Sequence, residues 1–158
     1  MSSHNLLPSE AEIVIIGGGI VGCSLAYHLT KRGINDVVLL ERKQLTCGTT
    51  WHAAGLVSML WPTPTLTNLA KYCHELYATL EEETGQATGY KQIGSLSLAR
   101  NKERLEELKR NASMAKVFGV KSEILGPNEI CELYPGLSSD GILGALHIEK
   151  DGQTNPID

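Results

Sequence analysis

Gly17, Gly19 and Gly22 stand in the spacing G-x-G-x-x-G, and Glu41 follows nineteen positions after the last of them. These are the residues of the chain best suited to hold a phosphate-bearing ligand. Gly17 permits a tight turn. Gly19 lets the backbone approach a pyrophosphate that any side chain would block. Gly22 lets the next helix pack closely on the preceding strand. A helix starting there offers free N–H groups and the positive end of its dipole to phosphates. An acid at the end of the following strand accepts hydrogen bonds from ribose hydroxyls, and Glu41 is placed to do so. Its charge repels a 2′-phosphate, which disfavours NADP. The glycine pattern by itself does not separate NAD from FAD.

Those residues need a strand, a turn, a helix and a second strand in that order. Residues 12–16 form a short apolar run that reads as a buried strand. Val21, Leu25, Ala26 and Leu29 recur at helical spacing, and Gly33 ends the helix. Residues 36–41 read as the second strand, parallel to the first in a βαβ unit. Residues 42–64 show no period and read as an ordered loop with room for one short helix, a length that marks a functional loop.

The pattern then continues. Leu66, Leu69, Ala70, Cys73, Leu76, Tyr77 and Leu80 form an apolar helix stripe closed by Gly85. Residues 92–99 alternate as a strand. Asn101 caps a helix with the stripe Leu105, Leu108, Ala112, Ala115 and Phe118, ended by Gly119. Residues 121–125 read as a strand, 127–134 as a short helix begun by Pro127, and 142–148 as a last apolar strand. Alternating strands and helices argue α/β. Residues 151–156 read as a turn that leads onward, so the chain reads as truncated.

Composition excludes several classes. The 158 residues carry a formal net charge of −4 with no basic block, which argues against nucleic acid. The apolar runs are too short to span a bilayer. Residues 1–11 read as a flexible N-terminus without a signal or transit pattern, which fits a cytoplasmic protein or a trimmed presequence. Cys23, Cys47, Cys73 and Cys131 form no C-x-x-C pair, and Cys23 and Cys73 read as buried reduced thiols on helix stripes. His4 falls in the tail, His28 and His74 on helices, and His147 in a strand, so no metal site is expected. The charged run 101–110 reads as a solvated helix face.

The segment Gly48-Thr49-Thr50-Trp51-His52-Ala53-Ala54-Gly55 is more specific. Taken without its neighbours, His52 reads as a loop histidine that packs or makes a hydrogen bond. Together with Leu39-Leu40-Glu41-Arg42 and Leu45-Thr46, however, the segment resembles the sarcosine dehydrogenase and dimethylglycine dehydrogenase family of D-amino-acid-oxidase-like flavoproteins. The likeness continues through Leu80-Glu81-Glu82-Glu83-Thr84-Gly85, Gly94-Ser95-Leu96, Leu133-Tyr134-Pro135 and Asp151-Gly152.

The resemblance implies an α/β fold that opens on a Rossmann-like FAD-binding βαβ unit at 12–41. A flavin-attachment loop follows at 42–64, and a substrate-side region begins at about 86–158, all of it the N-terminal portion of an FAD-dependent oxidoreductase domain. The implied cofactor set is Gly17, Gly19, Ile20, Val21, Gly22, Glu41, Arg42, Gly48, Thr49, Thr50, His52, Ala54 and Gly55. Covalent FAD attachment through the flavin's 8α-methyl group falls on His52, where a neutral imidazole nitrogen is a suitable nucleophile. Thr49 and Thr50 either donate hydroxyl hydrogen bonds near the pyrophosphate or ribityl chain or cap the loop. Trp51 lies by the ring or in the core, and Gly55 allows backbone close to the flavin.

The implied reaction is oxidative demethylation of a small secondary or tertiary amine, sarcosine or dimethylglycine, with hydride passing from the N-methyl carbon to flavin N5. Electron-transfer flavoprotein is the implied acceptor, and tetrahydrofolate the one-carbon acceptor in a domain absent here. The implied location is the cytoplasm of a bacterium or a mitochondrial matrix. No catalytic residue is assigned, and the 158 residues alone are expected to be inactive. The alternatives are a non-catalytic relative similar to the regulatory subunit of pyruvate dehydrogenase phosphatase, an oxidase with non-covalent or cysteine-linked FAD, and an NAD-dependent dehydrogenase. The implied loss of the flavin-linking histidine in the regulator makes His52 an argument for the enzyme.

Overall fold

The computed structural model describes residues 8–157, so His4 and most of the N-terminal segment lie outside the described residues. The chain divides into two compact units, one ending at Ala54 and the other Gly55–Pro156, and the division falls inside 42–64.

The first unit is the expected βαβ arrangement. Strand β1 is Ile13–Ile16, helix α1 Ile20–Lys31 and strand β2 Val37–Leu40. The strands pair in parallel from Ile13 opposite Val37 to Ile16 opposite Leu40. Gly33, at φ +85°, turns the chain after α1 in a left-handed conformation that an L side chain resists. Val14 and Ile16 remain 52% and 87% exposed, so this sheet does not bury both faces. The loop holds one turn of 3₁₀ helix at Thr50–His52.

The second unit departs from the parallel pattern, because its strands pair antiparallel throughout. Strand β3 (Leu56–Val57) and strand β4 (Lys91–Gln92) flank β8 (Gly152–Gln153). The two short outer strands lie in segments whose apolar pattern is too brief to read, and β8 occupies the stretch taken for a turn. The expected strand over 92–99 is broken at Gly94, whose φ of +74° separates β4 from β5 (Ser95–Ala99).

The larger sheet has the order β5, β7 (Gly144–Ile148), β6 (Glu123–Leu125). Its middle strand, β7, is covered on both faces. Leu146 and Ile148 join Leu108 and Ala115 of α3 (Lys102–Val117) in one cluster with Met59, Ala99 and Val120. Ala145 joins Ile130 of α4 (Pro127–Leu133) and Ile142 in the other. Burial on both faces explains why 142–148 reads as a continuous apolar run. Asn101 caps α3 as expected, its side-chain oxygen accepting from Arg104 N–H at 2.8 Å.

Helix α2 (Pro64–Thr84) begins at Thr63, whose hydroxyl accepts from Leu66 N–H, and ends at Gly85. Its most buried face overlaps the expected apolar stripe at Ala70, while Cys73, Leu76, Tyr77 and Leu80 of the stripe are partly buried. Thr67, Ala70 and His74 are buried, whereas Leu66 and Leu69 are 43% and 57% exposed. Thr67 can go inside because its hydroxyl both accepts from Trp61 N–H and donates to Trp61 carbonyl. Cys23 and Cys73 are only partly buried, and no described cysteine is in a disulfide.

Candidate cofactor site

The glycine turn between β1 and α1 is built by close contacts within the first unit. Gly17 N–H donates to Leu40 carbonyl at 2.8 Å and so joins the turn to the end of β2. Its φ of +104° lies where only glycine is at ease. A Cβ on Gly22 would lie 1.9 Å from Gly17 carbonyl oxygen, which is the close helix–strand approach expected of the third glycine. A Cβ on Gly19 would meet Thr50 Oγ1 at 3.0 Å.

Glu41 is held by backbone donors. Gly18 N–H reaches its Oε2 at 2.8 Å and Lys43 N–H its Oε1 at 2.9 Å. Those two bonds, Gly18 first, with smaller contributions from Arg42, hold the carboxyl below the ordinary carboxylate range. Each oxygen keeps a second lone pair, so the anchored carboxylate can still accept from a pair of vicinal hydroxyls. A cleft of about 350 Å³ lies beside it, lined by Ile16, Gly17, Leu40, Glu41 and Arg42.

The loop supplies the remaining expected residues. Thr50 Oγ1 accepts from Ile20 N–H at 3.0 Å, so the hydroxyl sits at the N-terminus of α1 with its own proton left to donate. The N–H groups of Val21 and Gly22 have no acceptor within the helix, and the first turn of α1 contains no acid. This arrangement accepts an anion. Thr49 carbonyl accepts from His52 N–H at 3.1 Å, while its side chain is exposed. Gly48 is exposed, with nothing within 4 Å of a Cβ placed there. His52 is exposed and its ring lies 4.1 Å from that of Trp51, tilted by 37°. Arg42 and Ala54 are exposed as well.

Gly55 belongs to the second unit, where its φ is +70° and a Cβ would meet Thr154 carbonyl oxygen at 2.2 Å. Its carbonyl accepts from Thr154 N–H, so the pairing of β3 with β8 is itself a reason for glycine here. Sequence reasoning missed Gly18, where a Cβ would lie 2.5 Å from Leu45 Cδ2 and 3.0 Å from Glu41 Cβ. The unbroken run Gly17-Gly18-Gly19 was the available signal. Among the described residues no group of three or more His, Cys, Asp or Glu could hold a metal, and no helix is long and apolar enough to cross a membrane.

Comparison with known proteins gives the chain's family. The family described as FAD dependent oxidoreductase matches residues 12–158. The chain is 46% identical over 151 residues to sarcosine dehydrogenase of Homo sapiens, covering 95% of this chain and 16% of that protein. It is 47% identical over 147 residues to dimethylglycine dehydrogenase of Rattus norvegicus, covering 93% and 17%. The pyruvate dehydrogenase phosphatase regulatory subunit of Mus musculus is 43% identical over 157 residues, covering 99% and 18%. Among solved structures, L-proline dehydrogenase from P. horikoshii superposes with a TM-score of 0.88 at 32% identity, over 96% of this chain and 40% of that one. The chain therefore spans about a sixth of the curated relatives' length.

Proposed function

Because the chain belongs to the FAD dependent oxidoreductase family, we propose that its first unit carries FAD and that the whole protein oxidatively demethylates a small N-methyl amine of the sarcosine or dimethylglycine kind. FAD, when bound, supplies the two-electron acceptor that takes a hydride from the N-methyl carbon. The chain's own part is to bind and orient. Glu41 accepts from the adenosine ribose hydroxyls. The turn at Gly17, Gly19 and Gly22 and the start of α1 with Ile20 and Val21 face the pyrophosphate. Thr49 and Thr50 offer hydroxyl protons to the phosphate or ribityl oxygens, and His52 holds the flavin through its 8α carbon. Arg42, Gly48, Ala54 and Gly55 complete the cofactor set.

The observation that carries this reading is His52, presented on an exposed 3₁₀ turn that is bonded to the glycine turn through Thr50. The relatives named for N-methyl amine oxidation support the substrate class. The reading includes electron-transfer flavoprotein as acceptor and tetrahydrofolate as one-carbon acceptor in a further domain, with a cytoplasmic location in a bacterium or a mitochondrial one in a eukaryote, the latter in keeping with the two relatives named as mitochondrial.

The similarity to the phosphatase regulatory subunit favours a second reading, a non-catalytic flavoprotein-like regulator. Acid precipitation of the purified full-length protein tests both. Yellow colour that stays with the precipitate, and a flavin mass on the peptide containing His52, are expected. Colour released to the supernatant rejects the covalent link, and a colourless protein favours the regulator. Methyl loss from sarcosine or dimethylglycine with an artificial electron acceptor tests the reaction.

A further inference from the structure

One backbone conformation in the first unit does not suit its residue. Among the described residues, Thr46 alone of the non-glycines has positive φ, at +66°. A β-branched side chain disfavours that region, so the surroundings must hold it there. Its two peptide groups show how. Thr46 N–H donates to Gly18 carbonyl at 2.9 Å, and Thr46 carbonyl accepts from Trp51 N–H at 3.3 Å. One residue therefore ties the glycine turn to the Thr50–Trp51 peptide, one before the peptide that leads into His52. The neighbours reinforce the tie. Leu45 packs against Gly18, and Thr50 Oγ1 takes the Ile20 N–H. A residue at negative φ would turn one of the two Thr46 peptide groups away from its partner.

We propose that Thr46 is the positioning residue for flavin attachment, its left-handed backbone fixing the turn that carries His52 against the glycine turn so that the imidazole meets the 8α carbon. This rests on the covalent reading above. Forming the nitrogen–carbon bond breaks one imidazole N–H and one methyl C–H bond. The two protons and two electrons released pass through the isoalloxazine ring to dioxygen, the acceptor in the assay, giving hydrogen peroxide. Thr46 makes no bond in this step and sets only the approach.

The test follows attachment in time. Full-length apoprotein is mixed with FAD in air and sampled. Flavin retained after acid precipitation is read from its absorbance and its fluorescence in a denaturing gel. Proline lacks the N–H and is locked near φ −65°. Thr46→Pro is therefore expected to slow attachment on the order of a hundredfold, the cost of about 1 Å of misplacement, while FAD still binds. Asparagine tolerates the left-handed region, so Thr46→Asn is expected to attach flavin at the parent rate. Thr46→Gly keeps the N–H and frees the conformation, and serves if the proline variant does not fold. Glycine takes the left-handed region without strain, so attachment at the parent rate is expected of it too. Thr46→Pro attaching at the parent rate while His52→Ala attaches none overturns the role of Thr46 and leaves the attachment site standing. Attachment at least about tenfold slower than the parent's in both Thr46→Gly and Thr46→Asn, which keep the two peptide groups and accept the left-handed region, overturns it as well. Covalent flavin retained by His52→Ala overturns the attachment reading itself.

Discussion

Replacing Gly22 by alanine adds one methyl group where the structure has no room. The new Cβ would lie 1.9 Å from Gly17 carbonyl oxygen, 3.1 Å from its carbonyl carbon and 3.4 Å from Ile15 Cγ2. The first two atoms are backbone, so no side chain can rotate out of the way. Reaching even 3.0 Å from the oxygen requires 1.1 Å of movement between α1 and the turn. Such overpacking costs about 1–3 kcal/mol. The same movement shifts the helix-start amides from the pyrophosphate, and a loss of about 1.4 kcal/mol there weakens binding about tenfold. The comparison is made in a His52→Ala background, where the flavin binds reversibly, by titrating full-length apoprotein with FAD and following flavin fluorescence. A dissociation constant at least about tenfold higher is expected for Gly22→Ala. Gly136→Ala, which has nothing within 4 Å and no left-handed conformation to satisfy, is the control and should shift stability by less than about 0.5 kcal/mol. FAD binding as tight as the parent's in Gly22→Ala, with an unchanged melting temperature, would refute the reasoning.

Three further outcomes follow. Glu41→Gln keeps the shape but gives up an acceptor oxygen already pinned by Gly18 or Lys43, so FAD titration in the same His52→Ala background should show weaker binding by about tenfold, the loss of about one charge-assisted hydrogen bond. Asp151 is buried, its Oδ1 accepting from Met59 N–H at 2.7 Å and its Oδ2 from Ser95 hydroxyl at 2.6 Å. Asp151→Ala leaves a buried N–H without a partner and should lower unfolding stability by about 3 kcal/mol in urea titration. His74 is buried, with Nδ1 bonded to Tyr90 hydroxyl at 2.9 Å and Nε2 without a hydrogen bond of normal geometry. Burial pulls its pKa below the ordinary imidazole value, and Asp151 and then Val57 carbonyl only partly oppose this. The unfolded chain then binds the proton more readily. His74 thus costs no stability above pH 6.5, and stability falls as pH drops from there through the lower folded value. Melting temperatures measured from pH 7.5 to 5 should show that fall, and His74→Gln should flatten it (a flattening that fails to appear removes His74 as the cause).

The βαβ unit was legible because each of its residues obeys a short-range rule. The spacing of Gly17, Gly19 and Gly22 answers to one turn, and Gly22 must be glycine because of an atom five residues before it. The distance from Gly22 to Glu41 is set by one helix and one strand, so counting residues was enough to place the carboxylate near the turn. The contacts that anchor this site were not legible, because they run through the backbone. Gly18 and Lys43 hold Glu41 by N–H groups that every residue but proline carries, and Thr46 contributes its two peptide groups. Side-chain type carries no mark of such bonds.

The second unit was less legible for a different reason, which α2 makes plain. Periodicity tells which face of a helix is apolar, but burial depends on what the rest of the fold brings against it. The stripe of α2 begins with Leu66 and Leu69, which are exposed, yet beside Ala70 of the stripe the most buried residues are Thr67 and His74. Thr67 and the Nδ1 of His74 have partners that arrive from a loop or from farther along the chain, while His74 Nε2 has no hydrogen bond of normal geometry. Trp61 backbone takes both hydrogen-bonding functions of Thr67, and Tyr90 hydroxyl meets His74. Asp151 likewise joins Met59 to Ser95 across 92 and 56 positions of sequence. Satisfied polar groups can displace leucines from an interior because an unsatisfied one costs more than an exposed methyl group. The same condition makes the arrangement fragile in one direction. Removing a single partner, as in Asp151→Ala, strands the other, whereas shortening Leu69 on the exposed stripe should cost this unit little.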